Sequence, residues 1–235
     1  LIYLLLCFTV QAQQNSYNFR HIGISDGLPD NYVKSVFGLP DGRLGVRTTV
    51  LLNLYDGKNF VSFPFTNHVY PIAYRALIPT QYVDSEDRLW LKERGYLRVF
   101  DLKSERFISA DSVFSGWGLK EKLVNLFVDN QKQVWVTDAS CRLYRYDAEL
   151  RTMKLMCDTD EFIRRNGTLL TLEVCGNSCW MVYESGIIRC FDMEQRKFIR
   201  QESFLLQKMA EDNQVVIRML ENGDFWLMWT NGIGY

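Results

Sequence analysis

Between Asp87 and Phe107 the chain reads DRLWLKERGYLRVFDLKSERF, two apolar bursts separated by a charged corner and followed by a polar turn. The first burst contains Trp90, and the second ends at Phe100 and Asp101. Short apolar segments bounded by turn residues are typical of β-strands joined by hairpins. This stretch therefore predicts consecutive short strands and argues against a helix.

The same pattern recurs along the chain every 45 or 46 residues. The tryptophans of the repeat are Trp90, Trp135, Trp180 and Trp226, and Gly45 stands one period before the first of them. The aromatic-aspartate pairs of the repeat end at Asp56, Asp101, Asp147 and Asp192. A unit of four strands with this period matches one blade of a β-propeller. The predicted fold class is all-β, a propeller with four-stranded antiparallel blades.

The repeated residues have structural interpretations. We expect the four tryptophans to pack between blades, because burial within an element explains their period better than ligand contact does. We expect the four aspartates to begin hairpin turns, where an Asp side chain accepts hydrogen bonds from its own backbone. A feature present in every blade does not mark a unique site.

The repeats divide residues 13–235 into blades near residues 31–65, 74–108, 122–157 and 168–202, with a partial blade at 214–235. This is fewer than a closed ring usually has, so we interpret the chain as an incomplete propeller. Phe19, before the first repeat, predicts an outermost strand over residues 17–20 that is donated to the last blade of the ring. Residues 204–212, FLLQKMAED, suit either a short rim helix or a loop with buried anchors.

The first residues predict export. Residues 1–10 are apolar but too few to span a bilayer, and Val10 and Ala12 fit the small-x-small rule for cleavage after Ala12. We therefore assign residues 1–12 to a signal peptide that is truncated at its start. The alternative is a lipoprotein signal at Cys7, but Leu6 is larger than the residue such a signal requires.

Composition excludes several functions. The net charge of -1 and the absence of a basic run argue against nucleic acid as a partner. The chain has no phosphate-binding loop, no HExxH and no GxSxG, so we expect no cofactor and no metal. Glycosidase or lyase chemistry needs only two carboxylates at a defined separation. Acids such as Glu93, Asp138 and Glu184 therefore leave an enzyme open as an alternative.

Five cysteines remain after the predicted cleavage: Cys141, Cys157, Cys175, Cys179 and Cys190. In an oxidising compartment cysteine pairs tend to form disulfides. Cys175 and Cys179 flank a Gly-Asn-Ser turn and could face each other across a hairpin. A zinc site and simple burial as free thiols are the alternatives, and the lack of a CxxC motif disfavours zinc.

We expect ligand binding where the repeat is broken. In a four-stranded blade, the turn between strands two and three lies at the same end as the connection to the next blade. The candidate ligand-binding residues at this end are Arg47, His68, Tyr74, Arg94, Trp117, Asp138, Glu184 and Trp229. Aromatic rings that stack on sugars, with charged groups for the hydroxyls, suit an oligosaccharide. The alternative is a variable solvated rim.

The repeat resembles the two-component-regulator propeller repeat. The resemblance rests on Gly27–Val36 (GLPDNYVKSV), Arg88–Leu91 (RLWL), Tyr55–Gly57 (YDG) and the closing Phe60, and it covers residues 17–235. In that family an FxxxxxxDGLxxNxV opening follows directly on the signal peptide, as Phe19 to Val33 does here. The LWIGT segment common in the family is altered in every repeat, for example to LGVRT and LWLKE.

The resemblance implies the N-terminal periplasmic sensor region of a hybrid two-component system, part of an inner-membrane protein. Such a region would bind an oligosaccharide and signal through the rest of the same chain to a histidine kinase, as a homodimer. It would not itself be an enzyme. The alternatives are an exported propeller enzyme acting on polysaccharide, and a non-catalytic adhesion or scaffold propeller.

Overall fold

The computed structural model describes residues 19–72, 80–93, 95–119, 121–203, 215–219, 224–229 and 232–234. Their strands form five antiparallel sheets, numbered here as sheets 1 to 5. Sheet 1 comprises β1 (Ser35–Gly38), β2 (Leu44–Arg47), β3 (Leu51–Tyr55) and β4 (Phe60–Pro64). Sheet 2 comprises β5 (Tyr70–Pro71), β6 (Thr80–Val83), β7 (Arg88–Glu93), β8 (Tyr96–Asp101) and β9 (Arg106–Ile108).

The remaining sheets continue the same order. Sheet 3 comprises β10 (Leu123–Val128), β11 (Val134–Asp138), β12 (Arg142–Asp147) and β13 (Thr152–Asp158). Sheet 4 comprises β14 (Leu169–Cys175), β15 (Ser178–Tyr183), β16 (Ile188–Asp192) and β17 (Lys197–Glu202). Sheet 5 comprises β18 (Val215–Met219), β19 (Phe225–Trp229) and β20 (Gly232–Gly234). Two short helices connect sheets, α1 (Ala110–Ser115) and α2 (Asp160–Asn166).

Sheets 1, 3 and 4 are four-stranded meanders whose strands pair in chain order. Sheet 5 has three strands paired in chain order. The predicted all-β fold of an incomplete propeller with four-stranded blades is thus confirmed. None of the described helices is both long enough and apolar enough to cross a bilayer.

Sheet 2 departs from the simple meander at its outer edge. Its outer strand β9 has only three residues and covers one end of β8. Tyr70 and Pro71, from the connection that leaves sheet 1, pair with Leu97 and Tyr96 at the other end of β8. Unpaired strand edges promote aggregation. The connection therefore completes an edge that the short outer strand leaves open.

Apolar clusters between consecutive sheets hold the structure together. Leu52 and Leu54 of sheet 1 pack with Leu89 and Leu91 of sheet 2. Further buried clusters join sheet 2 to sheet 3 and sheet 3 to sheet 4. All six residues of β7 are buried, because both faces of sheet 2 are covered. Covering both faces is what an apolar sheet needs, and a single blade cannot achieve it alone.

Two tryptophans of the repeat are wholly buried and hydrogen-bonded. Trp90 and Trp135 are 0% exposed. Each indole N–H donates over 2.8 Å to an aspartate six residues earlier, Asp84 or Asp129. These aspartates also accept backbone N–H groups of the turn between the first two strands of their sheets. One buried carboxylate therefore fixes both the hairpin and the indole that packs on the next sheet.

In the other sheets the repeat position of the tryptophan is packed in a different way. In sheet 1 the ring of Phe37 fills the space above Gly45, and a Cβ on Gly45 would lie 2.3 Å from it. In sheet 4 the strand register puts Cys175 where Asp84 stands in sheet 2, and Trp180 is half-buried with Arg200 over its ring. Trp226 of sheet 5 is 38% exposed, since no further described sheet covers its face.

The four repeated aspartates each begin a turn between the third and fourth strands. In every case one carboxylate oxygen accepts the backbone N–H groups two and three residues later. For Asp56 these bonds lower the pKa of the carboxyl. An acceptor at the first turn position replaces backbone bonds that the hairpin cannot make.

Some sequence-based predictions differ from the structure, and others concern residues that the structure does not describe. Phe19 is 94% exposed and residues 19–20 belong to no strand, while residues 17–18 of the predicted outer strand lie outside the described residues. The helices α1 and α2 were not expected. The signal peptide at 1–12 and the segment 204–212 lie outside the described residues.

We predict that Asp84→Ala lowers the free energy of unfolding by about 3 kcal/mol or more, because it leaves the Arg88 Nε–H and the Trp90 indole N–H buried without their acceptor. Asp101→Ala, which removes a more exposed turn acceptor from the same sheet, serves as the matched control and costs about 1 kcal/mol. Urea denaturation measures both. Equal losses in the two variants would contradict the special role of the buried carboxylate.

Candidate ligand-binding site

The upper face is defined here as the end of the sheets where β2 turns into β3, β7 into β8, β11 into β12 and β15 into β16. Connections between sheets leave from the same end, and α2 begins there directly after β13. The sequence pattern predicts that the candidate ligand-binding residues lie on this face. His68 lies there and is exposed. Tyr74 and Arg94 lie outside the described residues.

Trp117 is not on an open rim. It is 2% exposed and packs against Trp90 and Phe114, with ring centroids 6.0 and 5.0 Å away, and against Tyr146. Its carbonyl oxygen accepts the backbone N–H of Met153 over 3.0 Å. The linker after α1 inserts this indole between sheets 2 and 3, because a large apolar side chain gains more from that core than from the surface. Trp117 therefore belongs to the core, contrary to its predicted contact with ligand.

Asp138 is also engaged within the protein. Its side chain is 0% exposed and accepts hydrogen bonds from the backbone N–H of Ser140 and Arg142, from the Arg142 guanidinium and from the Tyr144 hydroxyl. These bonds close the turn between β11 and β12. The fully occupied carboxylate is a turn-forming group, and the predicted ligand role of Asp138 does not fit its burial.

Glu184 and Trp229 have different positions. Glu184 is half-buried, and one of its carboxylate oxygens accepts the backbone N–H of Thr168 over 2.8 Å. This bond ties the turn after β15 to the residues that follow α2. Trp229 ends β19, where its backbone pairs with Val215 and Gly232.

Arg47 belongs to an ion cluster between the upper ends of sheets 1 and 2. It is 0% exposed and forms a salt bridge with Glu93. Arg98 lies 3.9 Å from the other oxygen of Glu93, and both guanidinium groups face the ring of Phe65. Burial lowers the pKa of Arg47 to about 10, and the charge of Arg98 contributes to the lowering. Two arginines thus share one carboxylate.

Lys92 occupies the position of Arg47 one repeat later. It is 0% exposed, and its ammonium donates to the carbonyl of Leu126 over 2.9 Å and lies 4.2 Å from the centroid of the Phe127 ring. Burial lowers the pKa of Lys92 well below its usual value. This lysine therefore links sheet 2 to sheet 3 and is not a surface group of the upper face.

A cleft on the upper face lies beside α2, between sheets 3 and 4. It has a volume of about 610 Å³. We call it the α2 cleft, and its lining residues are Asp158, Thr159, Asp160, Glu161, Phe162, Arg165, Arg189 and Phe198. Acids, arginines and aromatic rings are all present. A concave site with a few polar groups beside aromatic rings is the usual form of a small-ligand site.

Arg189 is the central side chain of the α2 cleft. Its guanidinium carbon lies 4.1 Å from the ring centroid of Phe162 and 3.4 Å from that of Phe198. Its Nε is buried and has no hydrogen-bond partner among the described residues. The two rings cover the faces of the guanidinium, and one of its edges hydrogen-bonds the Tyr183 hydroxyl. The Nε–H is the donor that is left for an acceptor.

The helix that walls this cleft is fixed at both ends. Thr159 donates its hydroxyl and its backbone N–H to the carbonyl of Cys141, and the backbone N–H of Ser185 donates to the carbonyl of Asn166. The α2 cleft is therefore coupled to the upper turns of sheets 3 and 4. None of its residues was a sequence-based candidate.

A signal for α2 is nevertheless present in the sequence. Asp160 and Glu161 stand in its first turn and form ion pairs with Arg164 and Arg165 in its last turn. Acidic residues early, basic residues late and a following glycine favour a short helix. Gly167, with φ of 78°, ends the helix. Arg189 itself has no such signal, because nothing in its local sequence separates it from other arginines on strands.

The predicted Cys175–Cys179 disulfide is not formed. Both residues are free thiols. Cys175 pairs with Ser178, and Cys179 pairs with Val174, so the two cysteines point to opposite faces of sheet 4. Side chains on opposite faces cannot be bridged without moving the backbone. Among the described residues, no group of three or more His, Cys, Asp or Glu side chains could hold a metal ion.

Comparison with known proteins places this fold. No family model and no curated protein matches the chain. The solved extracellular domain of the hybrid two component system BT3049 from B. thetaiotaomicron is similar, with a TM-score of 0.55 and 16% identity over 91% of this chain and 30% of the other. The extracellular domain of the hybrid two component system BT4673 from the same organism gives a TM-score of 0.58 and 15% identity over 92% of this chain and 31% of the other.

These neighbours are extracellular domains of the kind of system that the repeat pattern resembles. At this level of identity the likeness establishes the fold alone. The chain spans about 30% of the length of the solved chains it matches.

We predict that Cys175 and Cys179 are both alkylated by iodoacetamide under denaturing, non-reducing conditions. The reason is their position on opposite faces of sheet 4. Mass spectrometry of the peptide that contains both would find two alkyl groups. A peptide that takes up alkyl groups only after reduction would contradict the register.

The burial of Lys92 leads us to predict that the stability of the protein depends on pH. Because its folded-state pKa is lowered, the unfolded chain binds more protons here than the folded chain between that pKa and about 10.4. From pH 7 to pH 10 the unfolding free energy of the wild type therefore rises relative to that of Lys92→Met, by up to about 1.4 kcal/mol per pH unit. Urea denaturation at several pH values measures this difference, and a constant difference would show that Lys92 stays protonated in the fold.

Proposed function

We propose that this chain is the periplasmic ligand-sensing propeller of a hybrid two-component regulator and that it detects an oligosaccharide derived from a glycan. The signal passes through the rest of the same sensor chain to a downstream histidine kinase, and the sensor acts as a homodimer. The fold shared with extracellular domains of such systems supports the sensor role. The α2 cleft carries the proposal for ligand binding.

The chemistry of the α2 cleft suits a hydroxylated ligand. Phe162 and Phe198 supply apolar rings beside the buried edge of Arg189, whose Nε has no described partner. Asp158 and Glu161 are exposed acceptors at the same cleft. Apolar ring faces and hydrogen bonds to hydroxyl groups are the two requirements of sugar binding. A volume of about 610 Å³ is within the usual range for a small-ligand pocket.

The position of α2 gives the ligand a route to a conformational response. Phe162 packs edge-on against Tyr183, with ring centroids 4.7 Å apart. The next residue, Glu184, accepts the backbone N–H of Thr168, which follows α2. A ligand that binds better to one arrangement of α2 shifts the population toward that arrangement. The size of the shift is limited by the difference in affinity between the two arrangements.

The ligand proposal is tested by thermal unfolding of the protein with a panel of neutral and acidic oligosaccharides. A ligand that binds only the folded state raises the melting temperature in a saturable way. We expect a selective rise with at least one oligosaccharide, without any product after prolonged incubation. Turnover of the sugar would favour the enzyme alternative, and no rise with any glycan would contradict oligosaccharide sensing.

A pair of variants then locates the site. Phe198→Ala removes one ring of the α2 cleft, whereas Phe107→Ala removes the matching outer-strand ring of sheet 2, which packs edge-on against Phe100 as Phe198 packs against Phe191. We expect Phe198→Ala to weaken binding about tenfold or more, the loss of one ring contact and its apolar area. Phe107→Ala keeps the wild-type affinity. Equal effects of both variants would place the ligand elsewhere.

A further inference from the structure

We infer that the upper end of the interface between sheets 1 and 2 is a binding site for a small oxyanion, a carboxylate or sulfate group. The site is built from Arg47, Arg98 and Glu93, with hydroxyl and amide groups around them. It is separate from the α2 cleft and does not depend on the proposed sensing of a glycan.

Unsatisfied polar atoms are concentrated at this interface. Among the described residues, nine buried side-chain polar atoms have no hydrogen-bond partner, and five of them belong to Ser35, Arg47, Thr66 and Gln81. Ser35 pairs with Arg47 and Gln81 pairs with Leu91, so these side chains lie on the facing sides of sheets 1 and 2. Buried polar atoms in native proteins nearly always have partners. Their concentration in one place therefore indicates a missing ligand group.

The free donors belong mainly to one arginine. Arg47 is 0% exposed and uses one nitrogen, Nη2, for Glu93, while Nε and Nη1 have no described partner. The guanidinium has a flat edge with parallel N–H groups that suits two oxygens of one anion. The hydroxyls of Ser35 and Thr66 add further donors. Donors therefore dominate among the orphaned atoms.

The excess of positive charge at this end of the interface also supports an anion site. Arg47 and Arg98 share Glu93, and the longer contact, between Arg98 and Glu93, is 3.9 Å. Residues 42–55, 57–83 and 94–100 contain no Asp or Glu, so the strands and connections around this end supply no second carboxylate. A buried charge without a counter-charge is costly. One bound oxyanion would balance the second arginine.

A route from solvent exists on two sides. Arg98 is partly exposed, and its Nε donates to the carbonyl of Thr66 at the start of the exposed segment 67–69. On the side of the inner strands, Gln81 and Phe37 line a cleft of about 420 Å³ between β1 and β6. The Gln81 side chain thus lies between the arginines and an open cleft. Its unpartnered atom is the amide oxygen, which only accepts, so the anion donors at this end are the arginines and the hydroxyls.

The test is thermal unfolding of the protein at constant ionic strength with sodium sulfate or sodium glucuronate, against sodium chloride and glucose as controls. We expect a saturable rise in melting temperature with sulfate, glucuronate or both. Sulfate alone would identify a sulfate site, and glucuronate alone a carboxylate site. An equal rise in melting temperature with sodium chloride would show that the effect is general ionic screening. An equal rise with glucose would show that the anionic group is not recognised. Either result overturns the proposal.

Variants assign the effect to the site. Arg98→Gln keeps a partly exposed polar side chain. We expect it to lower the affinity for the anion at least about tenfold, the usual effect of losing one charged hydrogen bond. Arg47→Gln is expected to abolish the rise, and if it fails to fold, Arg98→Gln alone decides. Arg142→Gln, at an arginine paired with Asp138 in sheet 3, is the matched control and should keep the wild-type response. An undiminished response in Arg98→Gln would overturn the proposal.

Discussion

The structure depends on one constraint: each sheet has two apolar faces and can bury them only against the sheets before and after it. Leu89 and Leu91 of β7 face sheet 1, and Trp90 between them faces sheet 3. The hydrogen bond from Trp90 to Asp84 holds this arrangement, because it fixes the indole and the adjoining hairpin through one buried carboxylate. The same pair, Trp135 and Asp129, repeats one blade later.

The periodic part of the fold could be predicted from the sequence, because strand alternation and turn chemistry are local. Asp101 and its counterparts begin turns wherever the spacing places them. What failed was the position of single side chains in the connections between sheets. Trp117 looked like a rim residue, yet the linker after α1 turns it into the core. Such positions depend on how two sheets pack, which no local pattern encodes.

The candidate site shows the same division. The connections that interrupt the repeat leave from the upper face, and α2 lies there. Two of the predicted residues, Arg47 and Asp138, lie at this end but are buried, and their charges hold the ends of sheets together. Arg189, Phe198 and Phe162 come together from two strands and a helix, so only the packed structure could identify them. The Cys175–Cys179 disulfide failed because a one-residue difference in register moves a side chain to the other face.

The central claim is that ligand is bound beside α2 and that α2 responds. Hydrogen exchange of the protein with and without a binding oligosaccharide tests it most directly, since binding slows exchange where local opening is suppressed. The account predicts slower exchange in residues 158–168, 183–189 and 197–199, which carry the cleft and its bonds to the upper turns. Slower exchange confined to other sheets, with these residues unchanged, would contradict it.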